Sequence, residues 1–323
     1  MTGSLLQLSG IVIDLVHKVD HLPVAGEEVE TPNVLITAGG GFNAMIAARN
    51  FGVPVTYGGT IGTGLFADIV RSMLDDASIL GIITRQPELD QGTCVVVVDS
   101  SGERSFISCH GAERQLETAD YAAVSPRDSD WMLLTGYSLF KAESARVLSP
   151  WLDQLKRGSI FLFDPGPIVA DIPRDKLRSA LARADWVSAN RSEAKVLTGA
   201  DDPALAASIL SKGRAGAIIR SGAEGCWIAT SENNVTFIPA FVVNTVDTNG
   251  AGDCHDGAFI AASILGYLPE QAALLANASA ALSTTRHGPA TAPSLTEVLS
   301  LIESRGLSLA GVSVRPKTNN RRN

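Results

Sequence analysis

Two carboxylates, Asp247 and Asp253, bracket the turn Asn249-Gly250-Ala251-Gly252 in the segment DTNGAGDCHDGAF (247–259), which runs straight into an apolar stretch. Glycines at 250 and 252 let backbone N–H groups turn inward, and a helix beginning near 252 aims its unpaired amides and partial positive charge at the same spot. That arrangement suits an anion. Asp253 then stands where it could take a proton from a hydroxyl as that oxygen attacks phosphorus. A plain helix N-terminus explains the same carboxylate, because a negative charge there stabilises the macrodipole by ~0.3–1 kcal/mol. On this segment alone the two readings stand level.

A second pair lies in SANRSEAKVLTG (188–199), where Asn190 and Glu193 are three apart at a strand-to-helix junction. Both side chains face the same way and could hold the waters of a Mg²⁺ that screens phosphates. A capping box explains the spacing equally simply, with Asn190 or Ser192 as cap, and by itself is the better reading. The run GGTIGTGLFADIV (58–70) has glycines spaced GxxGxG, not GxGxxG, and no acidic residue closes a strand some 20 residues on. Its glycines are expected to shape a turn, not to bind pyrophosphate. No GxxxxGK[ST] loop is present. Cys254 and His255 are adjacent, so on a helix they point about 100° apart and cannot form a nucleophile dyad.

The elements that must position these residues follow from periodicity. Residues 5–13, LLQLSGIVI, read as one buried strand ending at Asp14; 16–37 reads as strands with one wet face; 38–52 is a glycine turn followed by a helix that stops at Gly52. Residues 92–109 form a hairpin through Asp99-Ser-Ser-Gly102. From about 129 onward, the runs WMLLTG, SIFLFDPG, ADWVSAN and AGAIIRSG alternate with helical segments, the rhythm of a doubly wound, mainly parallel α/β sheet flanked by helices. Asp14, Asp164, Asn190 and Ser221 with Gly222 are expected at the C-terminal ends of strands, where ligands collect in such sheets. The segments 15–37 and 92–112 stand outside this rhythm and are expected to form a small discontinuous β lid.

The chain has 323 residues, enough for one large domain, expected over 1–313 with a basic, disordered tail at 314–323. A net charge of −8 argues against a nucleic-acid partner. The sequence shows neither an apolar run of about 20 residues nor a basic segment before the first apolar one, so no membrane association and a cytoplasmic location are expected. Cys94, Cys109, Cys226 and Cys254 lack CxxC spacing, and the five histidines lack ligand spacing, so no disulfide or structural metal is expected.

AGGGFNAMIAARNFG, the Asn190-x-x-Glu193 pair and DTNGAGDCHDGAF occur in the order and at about the spacing of the ribokinase (PfkB) carbohydrate-kinase family, which this chain resembles from about residue 5 to 305. The resemblance implies a ribokinase-like fold and transfer of the γ-phosphate of ATP to a hydroxymethyl oxygen of a small carbohydrate, as in ribokinases and fructokinases. It makes Asp253 the catalytic base and the backbone amides of Gly250, Ala251, Gly252 and Asp253 the anion hole. Asn190 and Glu193 match the pair that organises Mg²⁺ through water. Ser221, Gly222 and Gly225 match the turn along the nucleotide, and Asn277 the side chain near the adenine. Asp14, Gly40, Gly41 and Asn43 match the sugar-side groups, the glycines also serving as lid hinge. Asp247, with carbonyls such as that of Asn249 and those in 286–291, matches a monovalent-cation (K⁺) site. Pairing of lids into a homodimer is implied as well.

The chain departs from the pattern in two places. Family members often carry GxDxxG where this chain has Gly62-Thr-Gly64-Leu-Phe-Ala67, and Asn249 stands in place of a usual Thr. The sugar side is therefore expected to differ from that of ribokinase itself. Arg104 and His110 on the hairpin are expected to be solvated surface charges. A nucleoside acceptor of the cytidine, adenosine or pseudouridine type would offer Asp14 and Asn43 the same vicinal diol. A non-catalytic sugar or nucleotide sensor would have no need of an intact base, and a nicotinamide oxidoreductase would have to use GGTIGTG.

Overall fold

The computed structural model describes residues 3–122, 124–140, 143–155 and 158–309. Nine strands form the main sheet in the spatial order Asn234–Pro239, Gly225–Ser231, Gly216–Arg220, Trp186–Asn190, Ile160–Asp164, Trp131–Thr135, Leu5–Gln7, Val55–Tyr57 and Leu80–Gly81. The seven from Gly216–Arg220 to Leu80–Gly81 run parallel, and the two outermost on the other side are antiparallel. Parallel strands are buried on both faces, which is why runs such as IFLFD and GAIIR carry no polar alternation.

Period-2 geometry still sorts their side chains. Leu5, Trp131, Leu133, Leu162, Trp186 and Ile218 belong to one core. Leu6, Met132, Leu134, Phe161, Phe163, Val187 and Ile219 belong to the other. The first face is covered by helices Gly41–Asn50, Leu65–Asp76, Ala251–Ile264, Pro269–Ser283 and Leu295–Ser304; the second by Ser144–Gln154, Arg174–Arg183, Arg191–Thr198 and Pro203–Ser211. The doubly wound, mainly parallel α/β architecture expected from the sequence is thus what the chain adopts.

Helix Ala251–Ile264 is buried on most sides from Cys254 to Ala262, and beyond Asp256 it carries only small and apolar residues. Its Phe259 ring sits edge-on against Trp131 and Trp186, with centroids 6.0 and 5.0 Å away. Two residues nearer its N-terminus, Gly257 lies so close to helix Gly41–Asn50 that an added Cβ would sit 2.1 Å from the Ala44 carbonyl oxygen. This crossing sets Asn43 beside Asp253.

A second sheet has four strands in the order Val34–Gly40, Ile11–Lys18, Thr93–Val98 and Arg104–Cys109. The hairpin of 92–109 is therefore present. Two expectations require correction. The run 5–13 is not one strand: the chain leaves the main sheet after Gln7 and enters the small sheet at Ile11. Ser9 and Gly10 make the break, where the Ser9 N–H is bonded by the Gln7 side chain and the Gly10 carbonyl accepts from the Gly41 N–H. Asp14 accordingly lies inside a strand of the small sheet, opposite Thr37 and Cys94, not at the end of a main-sheet strand. Within 16–37, residues 19–33 carry no strand; Pro23 there lacks the N–H that a ladder needs. The segment 314–323 lies outside the described residues.

Candidate active site

Gly250 precedes helix Ala251–Ile264 with φ +71°, a left-handed backbone that glycine adopts without strain. A Cβ at this position would also press on the Asn43 amide at 3.0 Å. The turn therefore brings Asp253, the third residue of the helix, under the Asn43 side chain, whose Nδ2 donates to Asp253 Oδ2 at 3.0 Å. Two of the turn's amides are engaged, the Ala251 N–H with the Thr248 carbonyl at 3.3 Å and the Asn249 N–H with Asp247 Oδ1 at 2.9 Å. Burial pushes the Asp253 carboxyl up to about 6, opposed by the Asn43 donor, raised by Asp256 and lowered by Arg220. The Asn43 Oδ1 is buried and finds no partner among the described residues.

Asp14 faces the same space. It is 7% exposed, and burial followed by repulsion from Asp253 raises it to about 7, while a hydrogen bond from the Asn249 side chain opposes the rise. Gly39 makes room for it: an added Cβ there would sit 2.3 Å from Asp14 Oδ2. Gly40 and Gly41 turn the chain from strand to helix, Gly40 at φ +59°.

At the strand ends, Asn190 and Glu193 form the reciprocal capping box. Asn190 Oδ1 accepts from the Glu193 N–H at 2.9 Å, and Glu193 accepts from the Asn190 N–H at 2.7 Å and Nδ2 at 2.6 Å. Glu193 is 4% exposed, and both its carboxylate oxygens are engaged by Asn190. Arg220 ends the neighbouring strand in register with Asn190. Its guanidinium reaches Asp164 at 2.9 Å, Asp256 at 3.1 Å and Glu193 at 3.6 Å, and donates to the Gly252 carbonyl at 3.2 Å. Burial and like charges hold Asp164 well above the usual carboxylate range, whereas Arg220 draws Asp256 down to about 2 against its own burial. Ser221, Gly222 and Gly225 follow directly; the Ser221 N–H donates to the Gly225 carbonyl at 2.7 Å, and its buried Oγ has no partner in the protein.

A family model described as pfkB family carbohydrate kinase matches residues 4–296. The chain belongs to that family. An uncharacterized sugar kinase of Escherichia coli, YegV, is 30% identical over 92% of this chain and 93% of its own length. The ribokinase of Thermotoga maritima superposes with a TM-score of 0.79 at 25% identity, over 94% of this chain and all of that one. A ribokinase of Arabidopsis thaliana complexed with ribose and ATP shares the fold at 21% identity, TM-score 0.74, covering 94% and 99%. The enzyme is a pfkB-type phosphotransferase with an alcohol group as acceptor.

The site of this pfkB kinase differs from the sequence expectation at Arg104 and Asp247. Asn277 is buried, with Nδ2 donating to the carbonyls of Ile238 and Pro239 at 3.0 and 3.1 Å and Oδ1 bonded to His255 at 3.1 Å, bonds that tie helix Pro269–Ser283 to strand Asn234–Pro239. Arg104 is not a solvated charge but pairs with Asp247. Asp247 Oδ1 also accepts from the Asn249 N–H at 2.9 Å, and Oδ2 from the Gly288 N–H at 3.0 Å. A monovalent cation does not fit a carboxylate so occupied, and the Asn249 side chain is directed to Asp14. The glycines of 58–64 lead into helix Leu65–Asp76, whose N-terminus is capped by Asp90 from a later segment, its carboxylate accepting from the Phe66 and Ala67 N–H groups at 3.2 and 2.8 Å. Sequence reasoning missed Gly39, Arg220 and Asp256. A charged residue closing the apolar run AGAIIR was the available signal for Arg220.

Asp14 carries a stability cost whose sign is fixed by linkage. Its carboxyl rises from 3.8 to about 7 on folding, so the stabilising proton is bound below pH 4 and lost as pH rises through 7. Three units correspond to roughly 4 kcal/mol at most. Asp14→Asn is therefore expected to raise the melting temperature of the unliganded enzyme at pH 8 and to leave it near wild type at pH 4.5. A variant less stable than wild type at pH 8 would show that the buried charge is not a burden.

Proposed function

We propose that the enzyme transfers the γ-phosphate of ATP to a hydroxymethyl oxygen of a small sugar, with Asp253 as general base. The observation that carries this reading is the placement of one partly exposed carboxylate, raised to about 6, on the anion-binding turn and within reach of the Asn43 and Asp14 pair. A carboxylate in that range is ionised at neutral pH yet basic enough to accept the proton of an attacking hydroxyl. The unpartnered Asn43 Oδ1 would accept from one substrate hydroxyl and Asp14 from its neighbour, which suits a vicinal diol. The amides of 250–253 would stabilise charge developing on the transferred phosphoryl group.

Mg²⁺, arriving with the nucleotide and ordered through water by Glu193 and Asn190, would supply the charge that neutralises the phosphates. Ser221, with its buried unpartnered Oγ, and the turn of Gly222 and Gly225 would lie along the nucleotide. The small sheet carries Asp14 and would act as a lid that excludes water, so that transfer to water does not compete. Acceptor-dependent ADP release from MgATP, measured over pentoses, hexoses, sugar acids and nucleosides, tests the reading. Turnover on a sugar is expected. Faster turnover on a nucleoside would replace the acceptor class, and none on the whole panel with ATP bound would overturn catalysis.

A further inference from the structure

Arg104 opens the outer strand of the small sheet, 143 residues from Asp247 in sequence, yet its guanidinium spans to the body. One nitrogen pairs with Asp247 Oδ1 and another donates to Thr248 Oγ1 at 2.9 Å. Neither partner of the ion pair is solvated in the way a surface pair is: the side chains are 20% and 10% exposed. Lys18 and His287 close a second contact between the small sheet and the body at 3.0 Å.

Asp247 is the anchor of the segment that leads into the anion turn. Its carboxylate fixes the Asn249 N–H and the Gly288 N–H, and its own N–H donates to the Thr284 carbonyl at 3.0 Å. Thr248 in turn accepts from the Ala251 N–H through its carbonyl. A positive charge on Asp247 and Thr248 thus holds the backbone from which the turn's amides project. In this chain that charge is a side chain on the small sheet.

We propose that Arg104 is a positioning residue that takes the place of a bound monovalent cation, so that seating of the small sheet, and not the ionic composition of the solution, orders the 247–253 turn. An ion is available whether the sheet is seated or not. The guanidinium reaches Asp247 only when it is seated, which ties the competence of the anion turn to closure. The inference rests on the reading of 250–253 as the phosphate-binding turn, but the binding arm of its test needs no acceptor and no turnover.

The test uses the full chain and compares KCl, NaCl and choline chloride at equal ionic strength. For the unaltered enzyme, the melting temperature and the rate with its best acceptor are expected to be indifferent to which cation is present. Arg104→Met is expected to lower kcat by about 10- to 100-fold and to acquire a K⁺-specific rise in melting temperature and partial K⁺ rescue of rate. Arg104→Lys, which keeps a charge, should retain part of the rate without K⁺, and it serves as the test should Arg104→Met fail to fold. Strong K⁺ activation of the unaltered enzyme, or an Arg104→Met enzyme with unchanged rate, would overturn the proposal. Loss of activity in every chain, with the K⁺-dependent melting shift of Arg104→Met intact, would instead count against the functional reading.

Discussion

Asn in place of Asp253 is expected to lower kcat by about 10²- to 10⁴-fold, the span that a positioned general base contributes, with nucleotide affinity close to wild type. The substitution is nearly isosteric, and an Asn oxygen can still accept the Asn43 Nδ2–H that now meets Asp253 at 3.0 Å. Geometry is retained and basicity is lost. Single-turnover phosphoryl transfer to the acceptor, measured beside ATP binding by calorimetry, separates the two. A variant that keeps transfer within ten-fold of wild type would remove Asp253 from the role of base.

The same residue predicts the acid limb of the pH profile. A base raised to about 6 must lose its proton before it can act, so kcat/KM should fall as pH drops through that region and should flatten in the Asp253→Asn enzyme. Asp14 titrates close by, at about 7, and the two carboxylates repel one another. The limb therefore belongs to the pair and is expected to be broader than that of a single group. Removing the donor with Asn43→Leu should move it to higher pH, because the Asn43 hydrogen bond stabilises the ionised Asp253 and opposes the rise that burial causes.

What the sequence made legible was local: the glycine turn and carboxylate of 247–253, the capping spacing of 190 and 193, and the strands buried on two faces. Each is written in consecutive residues. The break at Ser9 and Gly10 was not legible, because apolar periodicity registers burial but not which sheet buries a residue. LLQ and IVI both read as buried, and they pair with different partners. Asp14 was consequently expected at the end of a main-sheet strand, whereas it lies inside a strand of the small sheet. The Arg104 to Asp247 contact and the Asn277 bonds to residues 238 and 239 are long-range polar choices. A side chain's identity states what it can donate, and only the fold decides which acceptor is nearest.

Replacing Arg220 by Leu is expected to cost about 3–5 kcal/mol at pH 8, the penalty for leaving buried charges uncompensated, out of the roughly 5–15 kcal/mol that holds such a protein folded. Three carboxylates, those of Asp164, Glu193 and Asp256, share this one guanidinium, with side chains 8%, 4% and 1% exposed. Without it, the charge on Asp256 loses the attraction that now draws it down to about 2. Its folded pKa then rises above the unfolded one, so the variant gains stability as pH falls and the carboxylates take up protons. The melting temperature gap to wild type should therefore narrow between pH 8 and pH 5. Lys at this position restores one charge but not the fork that reaches Asp164, Asp256 and the Gly252 carbonyl together, and should fall between the two. Because that carbonyl belongs to the 250–253 turn proposed to bind the phosphates, both variants are expected to lose kcat below their melting temperatures. A Leu variant that melts with wild type at pH 8 would show that the carboxylates share protons among themselves and do not depend on Arg220.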